Sequence, residues 1–350
     1  MSKTTSQTLR LTLAGLLALV VLPARVHANA IAYTVTDLGA NLEPQSINAS
    51  GQVTGRITLG GGVQHPFFYD GATVTDLGFT GKGFGINAAG HVVGNPAFLW
   101  NGTTKTDLVG GGGGYGINAS GQVAGDSGGR PVMWTGTTQI SLGTLPGAVS
   151  FPDGTAQGIN DLGQVTGIAR NINTNFRAFL YTAGTGMTDL GTLGGTDSFG
   201  FAINNSGQVT GWSNPFGSGT VAHAFLYTAG TGMIDLGTLG GSSSKGFGIN
   251  AAGDVIGMRA TTGNASGAFI YTEGTMYDLL SLLVPGSGVS DLIINPLGNS
   301  INDSGQIVAT GTIGNSSHAL LLTPTPEPSS AVLLLGSGAM LLLRRRRSVV

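Results

Sequence analysis

A chain of 350 residues can hold one large β domain or two ordinary ones. Only 9% of its residues are charged and 62 are glycine, a turn-rich composition that points away from helix bundles and toward an all-β fold. There is no cysteine, so disulfides are excluded. Setting aside Glu327 and the seven bases of the two ends leaves 16 acids against 8 bases, a balance that excludes nucleic acid as a partner.

The chain begins with a positive flank, Lys3 and Arg10, followed by an apolar run of 12 residues over 11–22. Small residues follow at Val26-His27-Ala28 and Ala28-Asn29-Ala30. This order predicts a secretory signal peptide over residues 1–30, cleaved after Ala28 or Ala30. A membrane span would need about 20 apolar residues, so the run is short for an anchor.

From residue 31 to 323 one unit recurs. Ile-Asn appears at Ile47, Ile86, Ile117, Ile159, Ile203, Ile249 and Ile301, at intervals of 39, 31, 42, 44, 46 and 52 residues. Each unit contains four short strand-like runs, which in the fifth are 201–204, 208–212, 224–228 and 233–237. The turn between the first two is built on Asn48, Asn87, Asn118, Asn160, Asn204, Asn250 or Asn302. Its asparagine can bond its own backbone, and the following glycine is free to take positive φ. Four strands per 40–45 residues is the period of a propeller blade. The body opens on Thr34-Val35-Thr36-Asp37-Leu38-Gly39, which matches the last strand of a unit, and closes on 318–323, which matches a third strand. The pattern therefore predicts a seven-bladed β-propeller with four-stranded blades, in which the N-terminal strand completes the C-terminal blade and leaves no long free edge.

His223-Ala224-Phe225-Leu226-Tyr227-Thr228, followed by Asp235-Leu236-Gly237-Thr238-Leu239-Gly240-Gly241, resembles the HAF extracellular repeat. The histidine is literal only at His65, His223 and His318, with Pro96, Arg130, Arg177 and Gly267 in other units. The resemblance implies export and repetition and assigns no reaction.

The tail, residues 324–350, reads Pro326-Glu327-Pro328, then an apolar stretch over 331–343, then Arg344, Arg345, Arg346 and Arg347. Thirteen helical residues rise about 20 Å, short of a hydrocarbon core of roughly 30 Å. Such a segment suits transient membrane contact with its arginines on the cytoplasmic side. These residues resemble the PEP-CTERM sorting signal, which implies an exosortase as processing partner and a product at or beyond the surface of a Gram-negative cell. The bland alternative is a single-pass tail.

The Gly-rich approach to each Ile-Asn places that strand at the axis, where backbones converge. The tight turns then share one face, and the crossovers share the other with the variable loops. Glu43, Asp153, Asp197 and Asp291, with Lys82 and Lys245, read as crossover residues that break the repeat on this second face. Converging carboxylates could hold Ca²⁺ or serve as acid and base on a glycan; solvated loop charge is the plainer reading, and no cofactor is required. Phe84, Tyr115, Phe201 and Phe247, two residues before the isoleucine, suit either sugar stacking or packing between blades. The recurrent aspartate of Asp-Leu-Gly (Asp37, Asp76, Asp107, Asp189, Asp235, Asp278) suits a local backbone hydrogen bond. The body's histidines form no close pair, and Gly111-x-Gly113-x-x-Gly116 lacks the helix a dinucleotide site needs. The reading that results is an exported protein with a non-enzymatic role, binding or organising extracellular polysaccharide or a surface protein. The alternative is a glycan-active hydrolase or lyase using loop-face carboxylates.

Overall fold

The computed structural model describes residues 31–148, 153–217, 219, 221–260 and 266–325. The segment read as a leader (1–30) and the segment read as a sorting signal, with Pro326, Glu327, Pro328, Arg344, Arg345, Arg346 and Arg347, lie outside the described residues. Among the described residues no helix is long and apolar enough to cross a membrane.

The structure is a ring of seven four-stranded antiparallel sheets, a seven-bladed β-propeller. Six blades each use four consecutive strands. The first is Leu42–Ile47, Val53–Thr58, Gln64–Tyr69 and Val74–Asp76. The seventh combines Val289–Ile293, Ile307–Ile313 and Ser316–Pro324 with the chain's first strand, Tyr33–Ala40. That strand pairs with Ser316–Pro324 from Tyr33↔Pro324 to Ala40↔His318, so the ring closes as the sequence predicts. In the fifth blade the strands run Gly194–Ile203, Val209–Pro215, His223–Thr228 and Gly232–Asp235. The outer strand stops short of Gly237 because Asp235 Oδ1 accepts the Gly237 amide at 2.7 Å and bends the chain.

The third strands supply the core. Phe67, Phe98, Phe179, Phe225, Phe269 and Leu320 recur at one position and all are fully buried. The Ile-Asn strands lie innermost, and their glycines let neighbouring backbones touch: a Cβ on Gly116 would sit 3.0 Å from the Gln157 carbonyl of the next blade.

The asparagine of each turn does more than close it. In the fourth blade Asn160 Oδ1 accepts the amides of Leu162 (3.1 Å) and Gln164 (2.9 Å). Its Nδ2 donates to Gln164 Oε1 (2.9 Å) and to the backbone carbonyl of Asn204 in the next blade (3.0 Å). The same reach to the next blade's asparagine recurs from Asn48 to Asn87, Asn87 to Asn118, Asn118 to Asn160 and Asn204 to Asn250. Asn302 reaches Asn48 across the closure at 3.0 Å. The sixth-to-seventh junction is carried by Asp303, which accepts the Ala251 amide (2.8 Å), and by Asn299.

Two substitutions test this construction. Gly207 sits at φ +74°, with Gln164 Oε1 3.3 Å from where a Cβ would be. Gly207→Val therefore combines left-handed strain with crowding and should cost about 1–3 kcal/mol. Asn160→Ala leaves two amides, a carbonyl and Gln164 without their partner and should cost about 2–3 kcal/mol. Both should lower the thermal midpoint by roughly 2–4 °C per kcal/mol. A Gly207→Val midpoint equal to that of the parent contradicts the turn geometry.

Candidate functional site

Strand direction puts every Asn-x-x-Gly turn on one face and the crossovers on the other. The two faces differ in kind. On the turn face the motif is the same in all seven blades, with positive φ at Gly51, Gly90, Gly121, Gly163, Gly207, Gly253 and Gly305. On the crossover face the cross-strand pair at the mouth of each blade is different. These pairs are Glu43 with Arg56, Lys82 with Asn95, Thr155 with Ile168, Phe199 with Trp212, Lys245 with Met258 and Asp291 with Thr312. In the third blade Asp126 accepts from the Gly113 amide (3.0 Å) and from Tyr115 Oη (3.0 Å). Burial, and then the Asp126 charge, push the Tyr115 phenol above its usual range.

The candidate rim residues lie on this face, but their location needs one correction. Glu43, Lys82, Asp197, Lys245 and Asp291 are inside inner strands, not crossovers, because pairing with the second strand extends past the aromatic and glycine pattern that reveals those strands. Only Asp153 precedes its strand, Thr155–Ile159. The carboxylates have separate partners. Glu43 pairs with Arg56, and Asp153 with Arg170 Nε at 3.2 Å. Asp197 accepts from the Phe176 amide and Thr196 Oγ1, both at 2.9 Å. Asp291 accepts the Leu292 amide at 2.8 Å. Among the described residues no group of three or more His, Asp or Glu is placed to hold a metal ion.

The inner strands of blades one to six each carry a β-bulge, and the extra residue is Gln45, Phe84, Tyr115, Gln157, Phe201 or Phe247. A bulge re-aims a side chain. Here the result joins neighbouring blades: Phe84 stacks on Tyr115 at 5.5 Å and Phe201 meets Phe247 edge-on at 5.3 Å.

A second aromatic group was not singled out from the sequence. Phe176 meets Phe199 at 5.3 Å, and Phe199 stacks on Trp212 at 4.0 Å. The Arg170 guanidinium lies 4.1 Å over Phe176 and Lys245 Nζ lies 5.0 Å over Trp212. The row crosses blades four to six, and Phe216, 88% exposed, directly follows the strand Val209–Pro215. Aligning the seven units four positions before each isoleucine would have shown Phe199 where Lys82 and Lys245 stand.

Farther out, the recurrent aspartates make the expected local bonds: Asp37, Asp76, Asp189 and Asp235 each accept the amide two residues on at 2.7–2.8 Å. They also hold a basic side chain near the start of the third strand. His65 meets Asp76 (2.9 Å), His223 meets Asp235 (2.7 Å), His318 meets Asp37 (2.9 Å) and Arg177 meets Asp189 (3.4 Å).

The chain belongs to the family described as "Protein of unknown function (DUF3466)", matched over residues 68–322. No curated protein matches it. Among solved structures it is similar to YCF48 bound to D1 peptide, at 11% identity and a TM-score of 0.51 over 87% of this chain and 98% of that one. It is also similar to a Mycobacterium tuberculosis puromycin-hydrolyzing peptidase, at 11% identity and a TM-score of 0.51 over 82% of this chain and 52% of that one. Both likenesses concern the fold alone.

Asp197→Asn keeps an oxygen for the Phe176 amide and should leave the stability within about 0.5 kcal/mol of the parent. A large loss in a melting experiment would mean that the blade needs the charge itself.

Proposed function

We propose that this DUF3466 member is an exported, non-enzymatic binding protein that organises extracellular polysaccharide at or outside the surface of a Gram-negative cell. Its leader directs export, and an exosortase processes the tail at Pro-Glu-Pro after transient membrane contact. The tail and repeat resemblances support the address and the setting. One observation carries the binding role: the cross-strand pairs at the mouth of the crossover face differ from blade to blade on a ring whose other face repeats. A unique recognition site needs residues that the symmetry does not copy, and here they are held on rigid strands. The aromatic row from Phe176 to Trp212 and the exposed Phe216 are the apolar part of that surface, and sugar rings take such contacts. The candidate carboxylates, each engaged by its own partner, favour binding over hydrolysis.

The purified protein incubated with the producer's exopolysaccharide should be retained on it without releasing new reducing ends. Phe216→Ser should weaken retention by roughly tenfold or less, the worth of about 0.5–1.5 kcal/mol of aromatic contact, with an unchanged thermal midpoint. Depolymerisation would move the reading to a glycan-active enzyme. Absence of retention would remove polysaccharide as the ligand.

A further inference from the structure

The innermost strand of a propeller blade has one neighbour, so half of its peptide groups face the axis. Hydrogen-bonded and non-bonded pairs alternate along an antiparallel ladder. Asn87, Asn118, Asn160 and Asn204 donate their amides to the carbonyls of His91, Gln122, Gln164 and Gln208 at 3.0–3.1 Å. The preceding residues, Ile86, Ile117, Ile159 and Ile203, therefore sit in non-bonded pairs with Val92, Val123, Val165 and Val209. Their N–H and C=O groups leave the ladder on the axial side.

Two other blades show what satisfies such groups. Residues 294–300 of the seventh blade fold into the axis between Val289–Ile293 and Ile307–Ile313. From this loop Asn299 O accepts the Ile47 amide at 3.1 Å. Its side-chain carboxamide binds Ile249 at both ends, Oδ1 accepting the amide and Nδ2 donating to the carbonyl, each at 3.0 Å. Ile86, Ile117, Ile159 and Ile203 instead line an axial cavity of about 130 Å³. Buried peptide groups require partners, and a polar space of this size has room for several waters.

We propose that this cavity is a binding site for a small, uncharged primary amide, seated on the inner strands as the Asn299 side chain is seated on Ile249. Three features define the class. A primary amide carries a donor and an acceptor on one side, the arrangement that one residue's N–H and C=O demand. No charged side chain lines the cavity, so an ion entering it would be desolvated without a counter-charge. Tyr115 and Phe201, at bulge positions, give the same cavity an apolar wall for a short alkyl substituent. The site does not depend on the polysaccharide reading, because it lies on the axis and not on the crossover rim.

The test uses the full chain with propionamide, N-methylpropionamide and propionate as probes, read by saturation-transfer NMR and by isoleucine methyl shifts in ¹³C-methyl-labelled protein. Propionamide should bind about tenfold more tightly than either analogue, the worth of one hydrogen bond, and should move the methyl signals of Ile86, Ile117, Ile159 and Ile203. Gly116→Ala, which places a methyl group 3.0 Å from the Gln157 carbonyl, should abolish these shifts. If that variant does not fold, contacts between the probe's ethyl protons and the four isoleucine methyls in the parent provide the same location. Equal response to all three probes, shifts away from the axis, or an axis that holds only water overturns the proposal.

Discussion

A buried carboxamide that satisfies its own turn and its neighbour's backbone at once is the interaction on which this ring depends. Burying an amide without partners costs several kcal/mol, yet Asn48, Asn87, Asn118, Asn160, Asn204, Asn250 and Asn302 are all at most 6% exposed. Each is tolerable because both ends of its carboxamide are engaged: Asn87 spends Nδ2 on the next blade and Asn250 spends it on Asp254, and the others use it on both sides. Oδ1 takes amides within the turn, and Nδ2 is divided between the residue four positions on and, at six of the seven junctions, the next blade. An apolar substitute would leave turn and junction unsatisfied together, so these positions link local conformation to the spacing of the blades.

The other constraint is closure. A ring built from sheets that touch only their neighbours is stable when its last interface is as good as the others. Here the seventh blade is assembled from both ends of the described chain, and its core joins Tyr33 to Leu292, Ile307, Leu320 and Leu322. Tyr33 is 2% exposed, and its carbonyl accepts the Val284 amide at 2.9 Å. Burial, with a smaller contribution from Asp254, pushes its phenol above the usual range. The seam carries the same side-chain device as two ordinary blades, since His318 meets Asp37 as His65 meets Asp76 and His223 meets Asp235.

The repeat, the closing strand and the glycine turns were legible because each is written as a local pattern that recurs. What escaped was the part that depends on pairing between strands. A two-residue period gives no sign that Tyr115 or Phe201 is the extra residue of a bulge, since the bulge exists only relative to the partner strand. The asparagines were readable as turn formers, but their second bond goes to a residue 31 to 46 positions ahead, or 254 across the closure. The axial loop left only an interval of 52 residues before Ile301, the longest in the series. Nothing local announced that the additional length folds inward. Phe199 and Trp212 belong to different strands, and their stack follows from cross-strand register alone.

The aromatic row on the crossover face is more closed than its exposure suggests, and this limits how a ligand can use it. Phe199 spends one face on Trp212 and lies against Phe176 on another side, while Arg170 covers Phe176. Arg170 is itself held by Asp153 and by the Thr174 carbonyl, so that end of the row is fixed. The other end is capped by Lys245, an exposed side chain whose ammonium lies 5.0 Å over Trp212. An exposed cation–π contact contributes only about 0.5–1 kcal/mol, small enough for a sugar ring stacking on Trp212 to displace. On the binding role proposed above, a ligand would meet Phe216 and the lysine-capped end of the row first, and would move inward only as far as Lys245 yields.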